Sequence, residues 1–340
     1  MAEKCKFRFL AFAWLIFTGF TSLSAQQLPP YPKMSNAAAD DMVSTYAFYV
    51  GQVYSVQMLA QKFPALAPEL TRAQYKFDSS FKASVDNIDS ILRIENTRWA
   101  ADKAKFLDLM KEKIDLTNVT LDQAKAFIVE VSARAEGKIS SPFLETLLMY
   151  KPDFLRQPGE ELIRGHKRTF STKNHPKSKG VNFHIEYPIS WKAKEGVRPN
   201  VISMFKSENG RGFESCLLMV KELPISEAEK LSETEIREVF SQNSMKQMVP
   251  ANARFVSSVP IKIDGLPGAA IIFDLEAQQL DIVIKTRNLH FAILYKNKII
   301  FVQCTVAGSQ DEANNLPARF KRFEPLFRLI ANSLVVQSRW

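Results

Sequence analysis

The chain has 340 residues, with 45 Lys and Arg against 36 Asp and Glu, for a formal net charge of +9. At ~100–200 residues per domain, this length predicts two domains. The positive excess is moderate and spread along the chain, which indicates a solvated surface, with an anionic surface such as lipid headgroups or an envelope polymer as an alternative partner. Because the first residues predict export, nucleic acid is not an expected partner.

The first 25 residues (1–25) have the pattern of a secretory signal peptide. Three basic residues precede an apolar run from Phe9 to Phe20, and small residues follow up to Ala25. The run is shorter than the ~20 residues of a spanning helix, which argues against an uncleaved anchor. Gln26 rather than Cys follows the predicted cleavage site, which argues against lipidation. We therefore expect an exported protein, periplasmic or secreted, with no later transmembrane segment.

The sequence of residues 26–34 predicts an extended lead-in, and the sequence of residues 35–152 predicts a helical domain. Ser35 or Asn36 can cap the first helix, and Thr120 with Gln123 forms a capping box for a later one. Apolar residues recur at helical spacing in the second helix, at Leu70, Ala73, Phe77, Phe81, Val85, Ile88 and Leu92. No period of 20–50 residues links the helices, so they predict one domain rather than a solenoid.

Residues 153–179 predict a basic linker, because apolar density falls and positive charge rises there. The basic and imidazole side chains are Arg164, His166, Lys167, Arg168, Lys173, Lys177 and Lys179. We expect the part from Ser171 to Lys179 to be exposed. Such a segment can dock on an acidic surface, but a soluble hinge is the simpler interpretation.

The segment from Gly180 to Lys192 predicts the strand that opens a sheet. Phe183, Ile185 and Tyr187 alternate with polar residues, and Pro188 ends the strand because proline cannot donate a ladder hydrogen bond. Further strands are predicted at 201–206, 213–223, 261–264, 269–276, 281–295 and 299–306. A capped helix begins at Ser232, and an apolar stripe from Leu316 to Leu334 predicts a final helix that covers a sheet face.

The pattern aromatic-x-hydrophobic-x-Tyr-Pro-x-x-Trp, from Phe183 to Trp191, followed by a meander of strands, resembles the opening of PsbP/Mog1-like (DcrB-like) domains. The resemblance extends from about residue 180 to 334. It implies an α/β/α sandwich with an antiparallel sheet over 180–340, and hence an α+β chain with an N-terminal helical domain. The helices before residue 153 are not part of the resemblance, so no function that depends on them is implied.

Cys216 and Cys304 lie on core faces of predicted strands. A disulfide in an oxidising compartment and two buried thiols are both consistent with this pattern. The absence of a Cys-x-x-Cys motif excludes a thioredoxin-type redox site.

One candidate metal site comes from histidines. His184 and Glu186 project from the same face of one strand, and His290 lies on another. Such residues can ligate zinc or manganese, but no third and fourth ligands are evident beside the first pair. The resemblance to PsbP-type proteins, which are associated with manganese and calcium, favours this interpretation slightly. We otherwise expect no cofactor.

A basic contact surface is predicted on the last helix. Arg319, Lys321, Arg322 and Arg328 lie mostly off its apolar stripe and are expected to face solvent. They are the best candidates in the folded domain for binding an anionic surface.

The sequence contains no Gly-x-Ser-x-Gly, His-Glu-x-x-His or Walker motif. We therefore expect an exported, non-catalytic binding or assembly module that acts on another cell-envelope or secreted protein. One alternative is a periplasmic small-ligand or metal-binding protein, and another is a secreted factor that interacts with a host. A hydrolase that uses Asp274 and Glu276, which share a strand face, is the least favoured alternative.

Overall fold

The computed structural model describes residues 35–225, 231–279, 282–309 and 315–339. The predicted signal peptide (1–25) and lead-in (26–34) lie outside the described residues. The chain forms two compact units, one ending at Arg156 and the other beginning at Gln157. Among the described helices, none has the length and apolar character needed to cross a membrane.

The described part of the first unit is helical. Its helices are α1 (Asn36–Lys62), α2 (Ala67–Glu95), α3 (Trp99–Lys113), α4 (Leu121–Ala135), α5 (Phe143–Met149) and α6 (Pro152–Arg156). Both predicted caps are present: the Ser35 side chain accepts a hydrogen bond from the Ala38 amide, and Thr120 and Gln123 form a reciprocal capping box. Local sequence therefore sets the starts of α1 and α4.

The core of this unit is built on α2. The seven apolar residues predicted to share one face of that helix are all buried. Phe77 lies near their centre and makes ring contacts with Phe48, Tyr49 and Phe81. Because each fully buried large apolar side chain contributes about 1.5–3 kcal/mol, this one stripe supplies much of the stability of the helical unit.

The second unit contains two antiparallel sheets. Its strands are β1 (Lys167–Ser171), β2 (Phe183–Pro188), β3 (Lys192–Glu195), β4 (Val201–Lys206), β5 (Glu214–Glu222), β6 (Ala253–Ile263), β7 (Leu266–Gln279), β8 (Ile282–Tyr295), β9 (Lys298–Ser309) and β10 (Val335–Val336). The larger sheet has the order β3-β4-β5-β9-β8-β7-β6, and the smaller sheet has the order β1-β2-β10.

Helices cover both faces of the larger sheet. They are α7 (Gly159–Ile163), α8 (Glu233–Val239), α9 (Gln242–Gln247) and α10 (Leu316–Asn332). On the first face, Phe320, Phe327 and Ile330 of α10 join one apolar core. On the second face, Val239 of α8 and Met245 of α9 join another. This is the helix–sheet–helix arrangement predicted from the sequence, and the α+β fold class is confirmed.

The prediction of a basic linker over residues 153–179 is wrong. Residues 159–163 form α7, and β1 pairs with β2 in register from Lys167 opposite Pro188 to Ser171 opposite His184. Phe170 packs against the first core, and the buried Thr172 hydroxyl donates to the Val181 carbonyl at 2.8 Å. Positive charge misled the prediction because β1 is an edge strand, where exposed basic side chains are common.

The strand predicted to open the large sheet belongs to the small one. β2 begins at Phe183 and ends at Pro188 as expected, but its partners are β1 and β10. Its inward residues still reach the first core, where the Tyr187 ring stacks on Phe205 with ring centroids 4.4 Å apart. The alternation of the sequence was therefore informative about which side chains are buried but not about which strands pair.

A buried carboxylate fixes the turn that follows β2. Glu161 of α7 is 4% exposed and accepts hydrogen bonds from the Ser190 amide at 2.8 Å and the Ser190 hydroxyl at 2.6 Å. Burial raises the pKa of the Glu161 carboxyl to about 7, although the bonds from Ser190 oppose the shift. The folded chain thus binds a proton at this site more tightly than the unfolded chain does.

This shift predicts a pH dependence of stability. A carboxyl whose pKa is raised on folding contributes stability that is complete below its unfolded pKa, near 4.5, and is lost as the pH rises through about 7. Wild-type protein should therefore lose up to about 3 kcal/mol from this group between pH 4.5 and pH 8. Urea unfolding measures the difference in free energy of unfolding between Glu161→Gln and wild type. This difference should be more favourable to Glu161→Gln at pH 8 than at pH 5.

The matched control is Glu160→Gln, since the neighbouring Glu160 makes only a surface ion pair with Arg164. A constant difference between Glu161→Gln and wild type across the same pH range would contradict the assignment.

Candidate functional site

The second face of the larger sheet changes from apolar to polar along its strands. One row of directly paired residues consists of Met219, Phe301, Ala292 and Ala269, and all four belong to the core beneath α8 and α9. In an antiparallel sheet, residues directly opposite each other project from the same face. Side chains alternate between the two faces along a strand, so the paired residues two and four positions farther along these strands project from this face as well. They form the second and third rows.

The third row is polar across five neighbouring strands. Lys192 of β3 lies opposite Lys206 of β4, and Lys206 lies opposite Ser215 of β5. Ser215 in turn lies opposite Thr305 of β9, and Thr305 lies opposite Asn288 of β8. We call these five residues the polar ladder. Lys192 is exposed, the middle three are half-buried and Asn288 is 5% exposed, so the ladder runs from solvent into the interior.

Asn288 closes the inner end of the polar ladder with satisfied hydrogen bonds. Its amide oxygen accepts from the Thr305 hydroxyl at 2.8 Å, and its amide nitrogen donates to the Thr286 hydroxyl at 2.9 Å. On the next strand, the opposite residue is the buried Phe273. The inner end thus combines fixed neutral polar groups with an aromatic wall.

The second row lies between the apolar first row and the polar ladder, and it contains another pair of polar residues. His290 and Gln303 lie directly opposite each other and are 3% and 5% exposed. The Gln303 amide nitrogen is buried and has no hydrogen-bond partner among the described residues. Leaving such a donor unsatisfied costs about 1–3 kcal/mol, so a fold would not retain it for stability alone.

His290 is held in its neutral form. Burial lowers the pKa of its imidazole to about 3. Its ring packs edge-on against Phe273, with ring centroids 4.7 Å apart. A neutral imidazole offers one hydrogen-bond donor and one acceptor and carries no charge.

The outer end of the ladder is cationic. Lys192 and Lys206 are direct cross-strand neighbours, and Lys194 lies on the same face two residues along β3. Within the described part of the chain, none of these three lysines forms an ion pair. Burial and the charge of Lys194 lower the pKa of Lys206, while Glu208 and Glu214 act in the opposite direction. Like charges directly opposite each other destabilise a sheet, and an anion bound between them would remove that cost.

The prediction that His184, Glu186 and His290 form a metal site is wrong. His184 and Glu186 lie in the smaller sheet, where the His184 Nδ1 atom contacts the Gln337 amide at 2.8 Å and Glu186 pairs with Lys167. His290 is buried in the larger sheet. No group of three or more metal-ligating side chains occurs among the residues that the structure describes. Strand pairing, which the sequence does not reveal, separates the ligands.

Two of the four residues of the predicted basic contact surface on α10 are neutralised by ion pairs. Arg319 pairs with the buried Glu214 and donates to the Ala307 carbonyl at 3.1 Å. Arg328 pairs with Glu324, and the Arg322 guanidinium lies over the Phe323 ring. Lys321 is exposed. Arg319 therefore serves the core rather than a partner, since its charge is compensated inside the fold.

Asp274, one of the two strand acids, is held by two arginines. Its carboxylate accepts hydrogen bonds from Arg287 at 2.7 and 2.9 Å and also pairs with Arg254. Burial would raise the pKa of Asp274, but these arginines lower it overall. A carboxylate held ionised in this way is suited to fixing β6, β7 and β8 together rather than to donating a proton.

The two cysteines are joined in a disulfide. Cys216 of β5 lies directly opposite Cys304 of β9, with a Cα–Cα distance of 4.1 Å. Both are fully buried in the first core. Their next neighbours along the two strands, Ser215 and Thr305, project from the opposite face and belong to the polar ladder.

Comparison with known proteins gives structural neighbours only. No protein-family model and no curated protein matches the chain. Similar solved structures include PsbP from Synechocystis sp. PCC 6803, a member of the family that residues 183–191 resemble, with 16% identity over 50% of this chain and 92% of that one (TM-score 0.32). LpqN of Mycobacterium tuberculosis, described as involved in cell envelope biogenesis, is 10% identical over 53% and 96% (TM-score 0.29). A Pseudomonas aeruginosa protein of unknown function is 13% identical over 51% and 99% (TM-score 0.25).

Sequence reasoning missed the polar ladder. The available signal was a pair of polar residues at alternate positions in each of two strongly apolar strands, Asn288 with His290 and Gln303 with Thr305. Alternation places each pair on one face, but only the register of β8 and β9 shows that the pairs meet.

The different roles of the α10 basic residues can be tested by mutation. Arg319→Ala leaves Glu214 buried without its charge partner and should lower the free energy of unfolding by about 3 kcal/mol or more. Lys321→Ala, on the same helix but exposed, should change it by no more than about 0.5 kcal/mol. Urea unfolding at neutral pH measures both, and similar small effects would show that Arg319 is a surface residue after all.

Proposed function

We propose that the protein is an exported accessory protein of the cell envelope that acts by binding another envelope protein through the polar ladder. The observation that carries the proposal is the ladder itself: five polar residues aligned across five strands, on a sheet face whose first row is apolar. A sheet face that only packs against helices has no need of such a row, because polar groups there cost desolvation.

Export is supported by two independent features. The first 25 residues have the composition of a signal peptide. The Cys216–Cys304 disulfide lies at the centre of the larger sheet, and structural disulfides persist in oxidising compartments outside the cytosol. Periplasmic and secreted destinations both satisfy these features.

Binding is favoured over catalysis by the state of the polar groups. The imidazole beside the ladder has a pKa of about 3, far below the neutral range in which a general acid or base works. The Thr305 hydroxyl donates to the Asn288 amide oxygen and the Asn288 amide nitrogen donates to the Thr286 hydroxyl, so these side chains are held in fixed positions. The lysines at the outer end add attraction for an anionic partner.

Site-specific photo-crosslinking tests the proposal. Lys192 is exposed at the outer end of the ladder, so a benzophenone amino acid can replace it without disturbing the core. Irradiation of cells that express this variant should yield a discrete adduct with one envelope protein, identified by mass spectrometry.

The control carries the same amino acid at position 321, which is exposed on α10 and outside the ladder. An adduct at position 192 that is absent at position 321 supports the proposal. The same adducts at both positions, or only small-molecule products at position 192, would overturn it.

A further inference from the structure

We infer that the protein partner adds a short strand to the free edge of β3, with acidic side chains at two alternate positions opposite Lys192 and Lys194. The inference rests on the proposed function and adds the mode of contact and the chemistry of the bound segment. Three features of β3 lead to it: its place at the edge of the sheet, the direction of its backbone groups and the charge of its exposed side chains.

β3 is an outermost strand of the larger sheet and pairs there with β4 alone. Its residues Lys192, Lys194 and Glu195 are exposed, so a partner can reach the strand from solvent. The polar ladder also ends here, because Lys192 is its outermost member. A strand added beside β3 would therefore place one residue directly opposite Lys192 and extend the ladder by one position.

The register shows which backbone groups of β3 face the free edge. Just beyond the strand, the Gly196 amide donates to the Ile202 carbonyl at 3.1 Å, as in a hydrogen-bonded pair of the β3–β4 ladder. Such pairs alternate along an antiparallel ladder, so the backbone groups of Lys194 face β4 while those of Ala193 and Glu195 face outward. Among the described residues, none forms a hydrogen bond with these outward amides and carbonyls. They can pair with an added strand.

The exposed side chains of β3 favour an acidic strand. Lys192 and Lys194 project from the same face, and neither forms an ion pair within the described part of the chain. Glu195 projects from the other face, where its carboxylate is bonded by His175 at 3.1 Å and Lys177 at 3.0 Å. On an added strand, the residues opposite the two lysines would form non-hydrogen-bonded pairs, whose side chains lie closest together. Asp or Glu at these two positions would therefore compensate both lysines.

The same lysines argue against a second copy of this chain as the strand donor. Directly opposite residues share a face, so an antiparallel pair of β3 strands centred on Ala193 sets Lys192 of one copy opposite Lys194 of the other. Like charges in this arrangement destabilise a sheet. Short edge strands that carry lysine resist unselective pairing in general. This edge therefore suits a different chain that brings acidic side chains.

Peptide titration of the mature full chain, followed by NMR of its backbone amides, tests the inference. The probe is acetylated Thr-Glu-Val-Glu-Thr amide, whose central valine should pair with Ala193. A dissociation constant on the order of 1 mM is expected for so small an interface. The amide signals of Ala193 and Glu195 should shift, and the affinity should fall as salt rises from about 50 to about 500 mM.

Backbone methylation of the peptide separates strand addition from attraction between charges alone. A methyl group on the valine nitrogen removes a donor that faces β3 and should weaken binding about tenfold or more. A methyl group on the nitrogen of the second glutamate, which faces away from β3, should have a much smaller effect. Because the two peptides carry the same charge, binding through charge alone would not distinguish them.

Charge exchange locates the binding to β3. The double variant Lys192→Glu and Lys194→Glu should lose the acidic peptide and bind Thr-Lys-Val-Lys-Thr instead, since the opposite-charge pairs are restored with reversed signs. Lys321→Glu, at the exposed lysine on α10, should leave binding of the acidic peptide unchanged. Both replaced lysines of β3 are exposed, and an unchanged thermal unfolding midpoint will show that the double variant is folded.

Four results would overturn the inference. The first three are equal effects of the two methyl groups, failure of the folded double variant to bind the lysine peptide, and no shift at Ala193 and Glu195 with about 10 mM acidic peptide. The fourth is binding to vesicles of equal parts phosphatidylcholine and phosphatidylglycerol without binding of the peptide, which would assign the lysines to a membrane surface.

The photo-crosslinking experiment distinguishes failure of this inference from failure of the proposed function. If the acidic peptide does not bind but the benzophenone at position 192 still captures one envelope protein, strand addition is wrong and the proposed function stands. If neither peptide binding nor a position-specific adduct is found, both fail.

Discussion

The structure depends on the register in which β5, β9 and β8 pair. Because side chains alternate between the two faces of a strand, a single register fixes both surfaces of the larger sheet at once. On one face it sets Cys216 against Cys304, within the core under α10. On the other it sets Ser215 against Thr305 and continues the row to Asn288. A slip of one residue would bury the polar row in the first core and expose the cysteines.

Under the proposed function, this two-sided constraint lets one sheet serve both stability and recognition. The first face carries an apolar core that is closed by α10 and the smaller sheet, with the ion pair between Arg319 and Glu214 at its edge. On the second face, α8 and α9 pack on an apolar core that includes Ile271 and Phe273, and the polar residues lie on the strands beside it. The buried Gln303 amide nitrogen, which has no hydrogen-bond partner among the described residues, adds a cost on this face.

Local features of the fold could be predicted from the sequence, but which strands pair with each other could not. The capping box at Thr120, the burial of Phe77 in α2, and the end of β2 at Pro188 follow from short-range chemistry. The edge strand β1 was mistaken for a linker because its charges reflect exposure rather than disorder. The candidate site was missed for a related reason: the ladder is assembled from five strands, and no single strand contains more than one of its members.

Disulfide mapping tests the central register most directly. Protein recovered from an oxidising compartment is alkylated without reduction, digested and analysed by mass spectrometry. The account predicts a linked pair of peptides that contain Cys216 and Cys304, with neither thiol alkylated, because these residues lie directly opposite each other in β5 and β9. Full alkylation of both cysteines in the denatured, unreduced protein would contradict the disulfide between Cys216 and Cys304, which is the covalent evidence for the alignment of the polar ladder.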